Sequence, residues 1–177
     1  QYHNIFNKIN ELLKQVDYEK IDKLKKMILE TKEINSKLIL LANGGSNAIT
    51  QHVSIDITKN LGIPALTLSN MAEITCLSND FGYENAILEY LKVNIKKNDL
   101  VIIISSSGES KNLINGAKYI INNKCRLATL TGFNPDNQLS KISPLDINIP
   151  IKHYNVVENA HQIILTTIVD IVKSYYV

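Results

Sequence analysis

At 177 residues, with 45% hydrophobic and 20% charged residues, the chain is long enough for one domain with a substantial core. Nineteen basic against seventeen acidic residues leave a formal charge of only +2, so composition implies neither nucleic acid nor an anionic membrane surface as partner. No apolar stretch approaches the ~20 residues of a membrane span, and no signal peptide is visible, which points to the cytoplasm.

Residues 1–36 read as a helical arm, with Ile5, Ile9, Leu12, Leu13 and Val16, then Ile21, Leu24, Ile28 and Leu29, spaced among lysines and glutamates. Asp17 is suited to cap a second helix after a short break. Such an arm cannot bury its stripe on itself and must pack on the following domain or on another subunit. Alternating elements come next: strand 37–42, helix 46–61, strand 64–68, a loop with a short helix, helix 83–95, strand 99–105, helix 109–123 and strand 126–131, closing with strand 145–149 and helix 155–175. Cys76 and Cys125 sit beside apolar residues without metal-ligand spacing and read as buried free thiols. Five short apolar runs separated by helical patterns predict an α/β fold: a three-layer α/β/α sandwich around a five-stranded parallel sheet, flavodoxin-like, over residues 37–177.

Two loops stand out. Leu38-Ile39-Leu40-Leu41-Ala42 runs into Asn43-Gly44-Gly45-Ser46, and Leu100-Val101-Ile102-Ile103-Ile104 runs into Ser105-Ser106-Ser107-Gly108-Glu109-Ser110. Small hydroxyl residues where a buried strand enters a helix expose N–H and O–H donors to an anion. Arg126 is the only arginine, so a phosphate ester here rests on hydroxyls and backbone donors rather than on guanidinium forks. No Gly-x-Gly-x-x-Gly follows a strand, which argues against a dinucleotide site.

With Ser78-Asn79-Asp80-Phe81-Gly82, with His52 six residues after Ser46, and with Glu158-Asn159-Ala160-His161 opening the last helix, these loops resemble the SIS (sugar isomerase) domains. Among these domains the chain is most similar to the phosphoheptose isomerases. The resemblance implies that Ser105, Ser106, Ser107 and Ser110 hold a phosphate, while Asn43, Gly44, Gly45 and Ser46, with Asn79 and Asp80, contact the sugar. A plain N-cap is the lesser reading of Ser107 or Ser110 and is compatible with phosphate binding, and a simple turn before Gly82 is the alternative for Asn79-Asp80.

Ketose–aldose isomerisation needs a base to move a proton between adjacent carbons and an acid or a metal at the carbonyl. In phosphoheptose isomerases a glutamate four residues after the first-helix His is the base, and a His eight residues after a Gln on the last helix is the acid. Some members hold zinc through these four side chains. The matching positions here are His52, Asp56, Glu158 and Thr166. The resemblance therefore makes Asp56 and Glu158 catalytic and His52, Asp56 and Glu158 the set for an optional zinc, while Thr166 can neither donate a proton near neutral pH nor serve as a usual zinc ligand. His161, a helical neighbour of Glu158, becomes the replacement acid, against a bland reading as a satisfied buried histidine. The function implied is interconversion of sedoheptulose 7-phosphate and a heptose 7-phosphate for surface polysaccharide, by a homo-oligomer (dimer or tetramer). The alternative is a non-catalytic phosphosugar-binding or protein-binding domain.

Overall fold

The chain opens on two helices, Tyr2–Gln15 (α1) and Tyr18–Glu33 (α2), in a computed structural model that describes residues 2–176. They part at Asp17, whose carboxylate accepts from the N–H groups of Glu19 (3.0 Å) and Lys20 (3.3 Å) as the N-cap of α2. Then follow β1 (Leu38–Ala42), α3 (Gly44–Asp56), a π-helical turn (Ile57–Leu61), β2 (Ala65–Thr67), α4 (Met71–Phe81) and α5 (Tyr83–Asn94). The second half comprises β3 (Leu100–Ser105), α6 (Lys111–Asn122), β4 (Arg126–Gly132), α7 (Gln138–Ile142), β5 (Asp146–Ile149) and α8 (Tyr154–Lys173).

All five strands run parallel in the order β2-β1-β3-β4-β5, the flavodoxin-like arrangement expected. Alternation along each strand divides the core in two. Leu38, Leu40, Leu100, Ile102, Ile104 and Leu130 meet Leu24 and Ile28 of α2, Val53 of α3, and Leu165, Ile168 and Val172 of α8. Ile39, Leu41, Val101, Ile103 and Leu127 meet Ile87 and Leu91 of α5 and Leu113, Ala117 and Ile120 of α6. Each fully buried Leu or Ile contributes roughly 1.5–3 kcal/mol, so both faces of the sheet must be covered for these runs to be strands at all.

Two expectations are corrected. The segment before α5, read as a loop with a short helix, is the 11-residue α4, started by Asn70, whose side-chain carbonyl accepts from Ala72 N–H at 2.9 Å. Cys76 is not a buried thiol: it lies on α4, which buries no residue, and is exposed, while Cys125 is half-buried.

The arm does pack on the domain, though unevenly. α2 buries Leu24, Ile28 and Thr31, and Arg126 ties it to β4 by donating to the carbonyl of Met27 (2.7 Å), the carboxylate of Glu30 (2.9 Å) and the hydroxyl of Thr31 (3.0 Å). α1 buries nothing and leaves Tyr2, Ile5 and Phe6 in solvent. No helix among the described residues is long and apolar enough to cross a membrane.

Candidate functional site

Strand order reverses between β1 and β3, so the loops leaving them diverge and open a crevice at the carboxyl edge of the sheet. The loop from β1 into α3 carries Asn43, Gly44, Gly45 and Ser46, and the loop from β3 into α6 carries Ser105, Ser106, Ser107 and Ser110. All eight line one cavity of about 350 Å³, joined by Leu113, Tyr154 and Glu158.

The serine loop is prepared for an anion. Ser105 Oγ accepts from Gly108 N–H (3.1 Å) and Ser107 Oγ from Glu109 N–H (3.2 Å), which leaves both hydroxyl protons free to donate outward. Ser110 stands at the N-cap of α6 without making a side-chain capping bond. Ser106 is 5% exposed and its Oγ has no partner within the protein. A buried hydroxyl left unpaired is costly, and Ser106 lines a cavity at the positive end of a helix. The nearby carboxylate of Glu109 is turned away, accepting from the backbone N–H (3.1 Å) and side-chain amide (2.8 Å) of Gln138, so it does not repel an anion. Gly108 has φ +67° and lies against Asn137, a position closed to any side chain.

Opposite the serines, Gly45 lets α8 approach: a Cβ there would sit 2.7 Å from Glu158 Oε2. Ser46 Oγ donates to Glu158 Oε1 at 3.3 Å, and among the described residues Glu158 is the only acidic side chain lining the cavity. Asn43 is pinned by a reciprocal amide pair with buried Asn112 (2.8 and 2.9 Å) and by the hydroxyl of Tyr83, which donates to its Oδ1 at 2.9 Å. Neither Asn112 nor Tyr83 carries a local sequence signal. Tyr154, also missed from sequence, stands at the cavity rim with its ring edge-on to Phe133, centroids 4.9 Å apart.

Several expected site residues lie elsewhere. Asn79 and Asp80 are exposed on α4, bonded to each other (2.9 Å) and away from the cavity. His161 is fully buried: its Nε2–H donates to the carbonyl of Thr131 at 2.9 Å, its Nδ1 has no partner, and burial drives its pKa down to about 4. A neutral imidazole sealed in the core cannot be the replacement acid. One signal was available, because His161 falls on the apolar stripe Val157, Ala160, Ile164, Leu165 and Ile168. Thr166 turns back on its own helix, donating to the carbonyl of Gln162 at 2.9 Å.

His52 and Asp56 form the expected pair one helical turn apart, Nε2 to Oδ2 3.1 Å, and Gln162 of α8 meets His52 Nδ1 at 2.8 Å. They stand well along α3 from the serine cavity: at about 1.5 Å per residue, His52 is roughly 10 Å and Asp56 roughly 16 Å beyond Gly45 along the axis. A groove of about 380 Å³ between α3 and α8 links the two regions, passing Gly45, Glu158, His52 and Gln162. Among the described residues no three His, Cys, Asp or Glu side chains gather as a metal site. The expected zinc set does not assemble within one chain, because Glu158 is held at Gly45 and Ser46 while His52 and Asp56 pair further along the helix.

A parallel doubly wound sheet with a serine-lined anion cradle at its switch point defines an α/β phosphate-ester-binding domain. The comparisons with known proteins narrow this class. The SIS domain family model matches residues 1–132. The phosphoheptose isomerase of Buchnera aphidicola is 31% identical over 151 residues, covering 82% of this chain and 77% of that protein. That of Aliarcobacter butzleri is 28% identical over 162 residues, covering 88% and 85%. Among solved structures, a phosphoheptose isomerase from Neisseria gonorrhoeae superposes with a TM-score of 0.91 over 98% of this chain and 95% of its own, at 19% identity. The chain belongs to the SIS domain family, and these two curated relatives are phosphoheptose isomerases.

Proposed function

We propose that this protein is a ketose–aldose isomerase of a phosphorylated sugar, acting on sedoheptulose 7-phosphate in the cytoplasm to supply heptose for lipopolysaccharide or capsule. The observation that carries the reading is the unpartnered, buried hydroxyl of Ser106, set among Ser105, Ser107 and Ser110 at the N-terminus of α6. A phosphate monoester satisfies that hydroxyl and the free N–H groups of the helix together. The sugar then runs past Gly45, whose missing side chain brings the Glu158 carboxylate up to the cavity, and its hydroxyls meet Glu158 and the rim at Tyr154.

Proton transfer between the two carbons falls to Asp56, whose Oδ2 is held by His52. Asp56 stands roughly 16 Å beyond Gly45 along α3 and does not line the serine cavity. On this reading the complete site takes its cradle from one subunit and its base from another. The exposed apolar residues of α1 favour such packing, as a homodimer or homotetramer.

Incubation with sedoheptulose 7-phosphate in deuterated water, followed by NMR with and without added zinc, tests the reading. An aldose phosphate deuterated next to its carbonyl is expected. The specific observations favouring a second reading, a binding domain without chemistry, are the core position of His161 and the inward-turned hydroxyl of Thr166. Binding of the sugar phosphate with no exchange of the proton beside its carbonyl would establish that second reading.

A further inference from the structure

We infer that Gln162 is a positioning residue, fixing the imidazole of His52 as the Nε2–H tautomer so that it grips Asp56. Asp56 as the reacting base rests on the reading above; the tautomer does not. The argument begins with facing helices. Residues 45, 48, 49 and 52 of α3 and residues 155, 158, 159 and 162 of α8 recur at the same three- and four-residue spacing, so each set forms one stripe and the two stripes face across the groove. Two side-chain hydrogen bonds cross it: Ser46 to Glu158 at the end near the serine cavity, and Gln162 to His52 one turn further along α8.

The protons in the second contact follow from the partners. A carboxylate only accepts, so the His52 nitrogen 3.1 Å from Asp56 Oδ2 carries the proton, and that nitrogen is Nε2. A neutral imidazole then offers Nδ1 as an acceptor, and the Gln162 amide nitrogen, 2.8 Å away, is the donor that fills it. The three residues form a directed chain from Gln162 N–H to His52 to Asp56. Both imidazole nitrogens are engaged, and among the described residues Oδ2 is the only Asp56 oxygen that is bonded, so Oδ1 remains to take a proton.

Position 166 plays no part in this contact. The hydroxyl of Thr166 is spent on the Gln162 carbonyl (2.9 Å), and the link from α8 to the α3 histidine is made one turn earlier, at Gln162. His52 is half exposed in the single chain, 52%, so without Gln162 water competes for Nδ1 and the ring is free to turn.

The test is long-range proton–nitrogen NMR of the four imidazoles in the intact protein, measured on the neutral form and assigned through single histidine variants. The expected wild-type result is an Nε2–H tautomer for His52. Gln162→Leu removes the donor and should give a mixture of the two tautomers. Gln162→Glu replaces the donor by an acceptor and should draw a proton to Nδ1. Unchanged imidazole signals in both variants, with normal thermal unfolding, would overturn the inference. In the isomerase assay Gln162→Leu is expected to lower kcat on the order of tenfold, the worth of one hydrogen bond, with KM unchanged. An altered tautomer with unchanged kcat would refute the link to Asp56. Absence of turnover in the wild type would sink the isomerase reading alone, and the tautomer would still decide the role of Gln162.

Discussion

Replacing Ser106 by alanine should move stability and ligand affinity in opposite directions. The hydroxyl is 5% exposed and lacks any partner, so the unliganded fold carries a buried polar group whose desolvation is not offset. Such a group costs about 1–3 kcal/mol, part of which removal should recover, less the small void that a missing oxygen leaves. Thermal unfolding of Ser106→Ala should therefore be unchanged or raised by a few degrees, at about 2–4 °C per kcal/mol for a domain of this size. The bound state responds the other way. A hydrogen bond to a charged phosphate is worth about 1.5–3 kcal/mol, so affinity for a sugar phosphate should fall roughly 10- to 150-fold. Calorimetric titration and differential scanning on the same preparations read both quantities, and the ligand-induced rise in Tm should shrink in parallel. A variant destabilised by a kcal/mol or more that binds sugar phosphate as well as the parent would refute the reasoning: the hydroxyl would then belong to the fold and not to the site.

Asp56→Asn should abolish proton exchange next to the substrate carbonyl while calorimetry shows sugar phosphate binding retained, since the amide keeps the shape but cannot accept the proton. Thr166→His, which places an imidazole one turn beyond Gln162 on α8, should raise turnover of sedoheptulose 7-phosphate, read as kcat. The depressed pKa of His161, about 4 against an ordinary 6.5, means that the unfolded chain binds the proton first as pH falls. Stability should thus be unaffected by this group above about pH 6.5 and decline towards pH 4, by on the order of 3 kcal/mol, with denaturant unfolding of His161→Gln lacking that part of the slope. Sedimentation of the intact chain should show a dimer or tetramer, and Arg126→Met, which strips three donated hydrogen bonds from α2, should lower stability by about 1–3 kcal/mol in denaturant unfolding.

The sheet and its anion-binding edge were legible in the residues because both rest on local chemistry. Runs such as Leu100-Val101-Ile102-Ile103-Ile104 have no polar face to show to solvent, so they must be strands covered on both sides. The serines that follow them have no Cγ to bury and carry donors that suit a helix N-terminus, as Asp17 suits the start of α2. What sequence could not supply was helix rotation and long-range pairing. Turning α8 to bury Val157, Ala160 and Leu165 sends His161 into the core and swings Glu158 and Gln162 into the groove, although all three polar residues lie within five positions. The contacts that lock the site join residues far apart in the chain, 69 positions for Asn43 with Asn112 and 110 for His52 with Gln162. Neither member of such a pair carries a periodicity that names the other. Only packing of α3, α6 and α8 against one sheet brings their donors and acceptors within hydrogen-bonding reach, and so only the tertiary structure decides which polar side chains serve the site and which are buried in the fold.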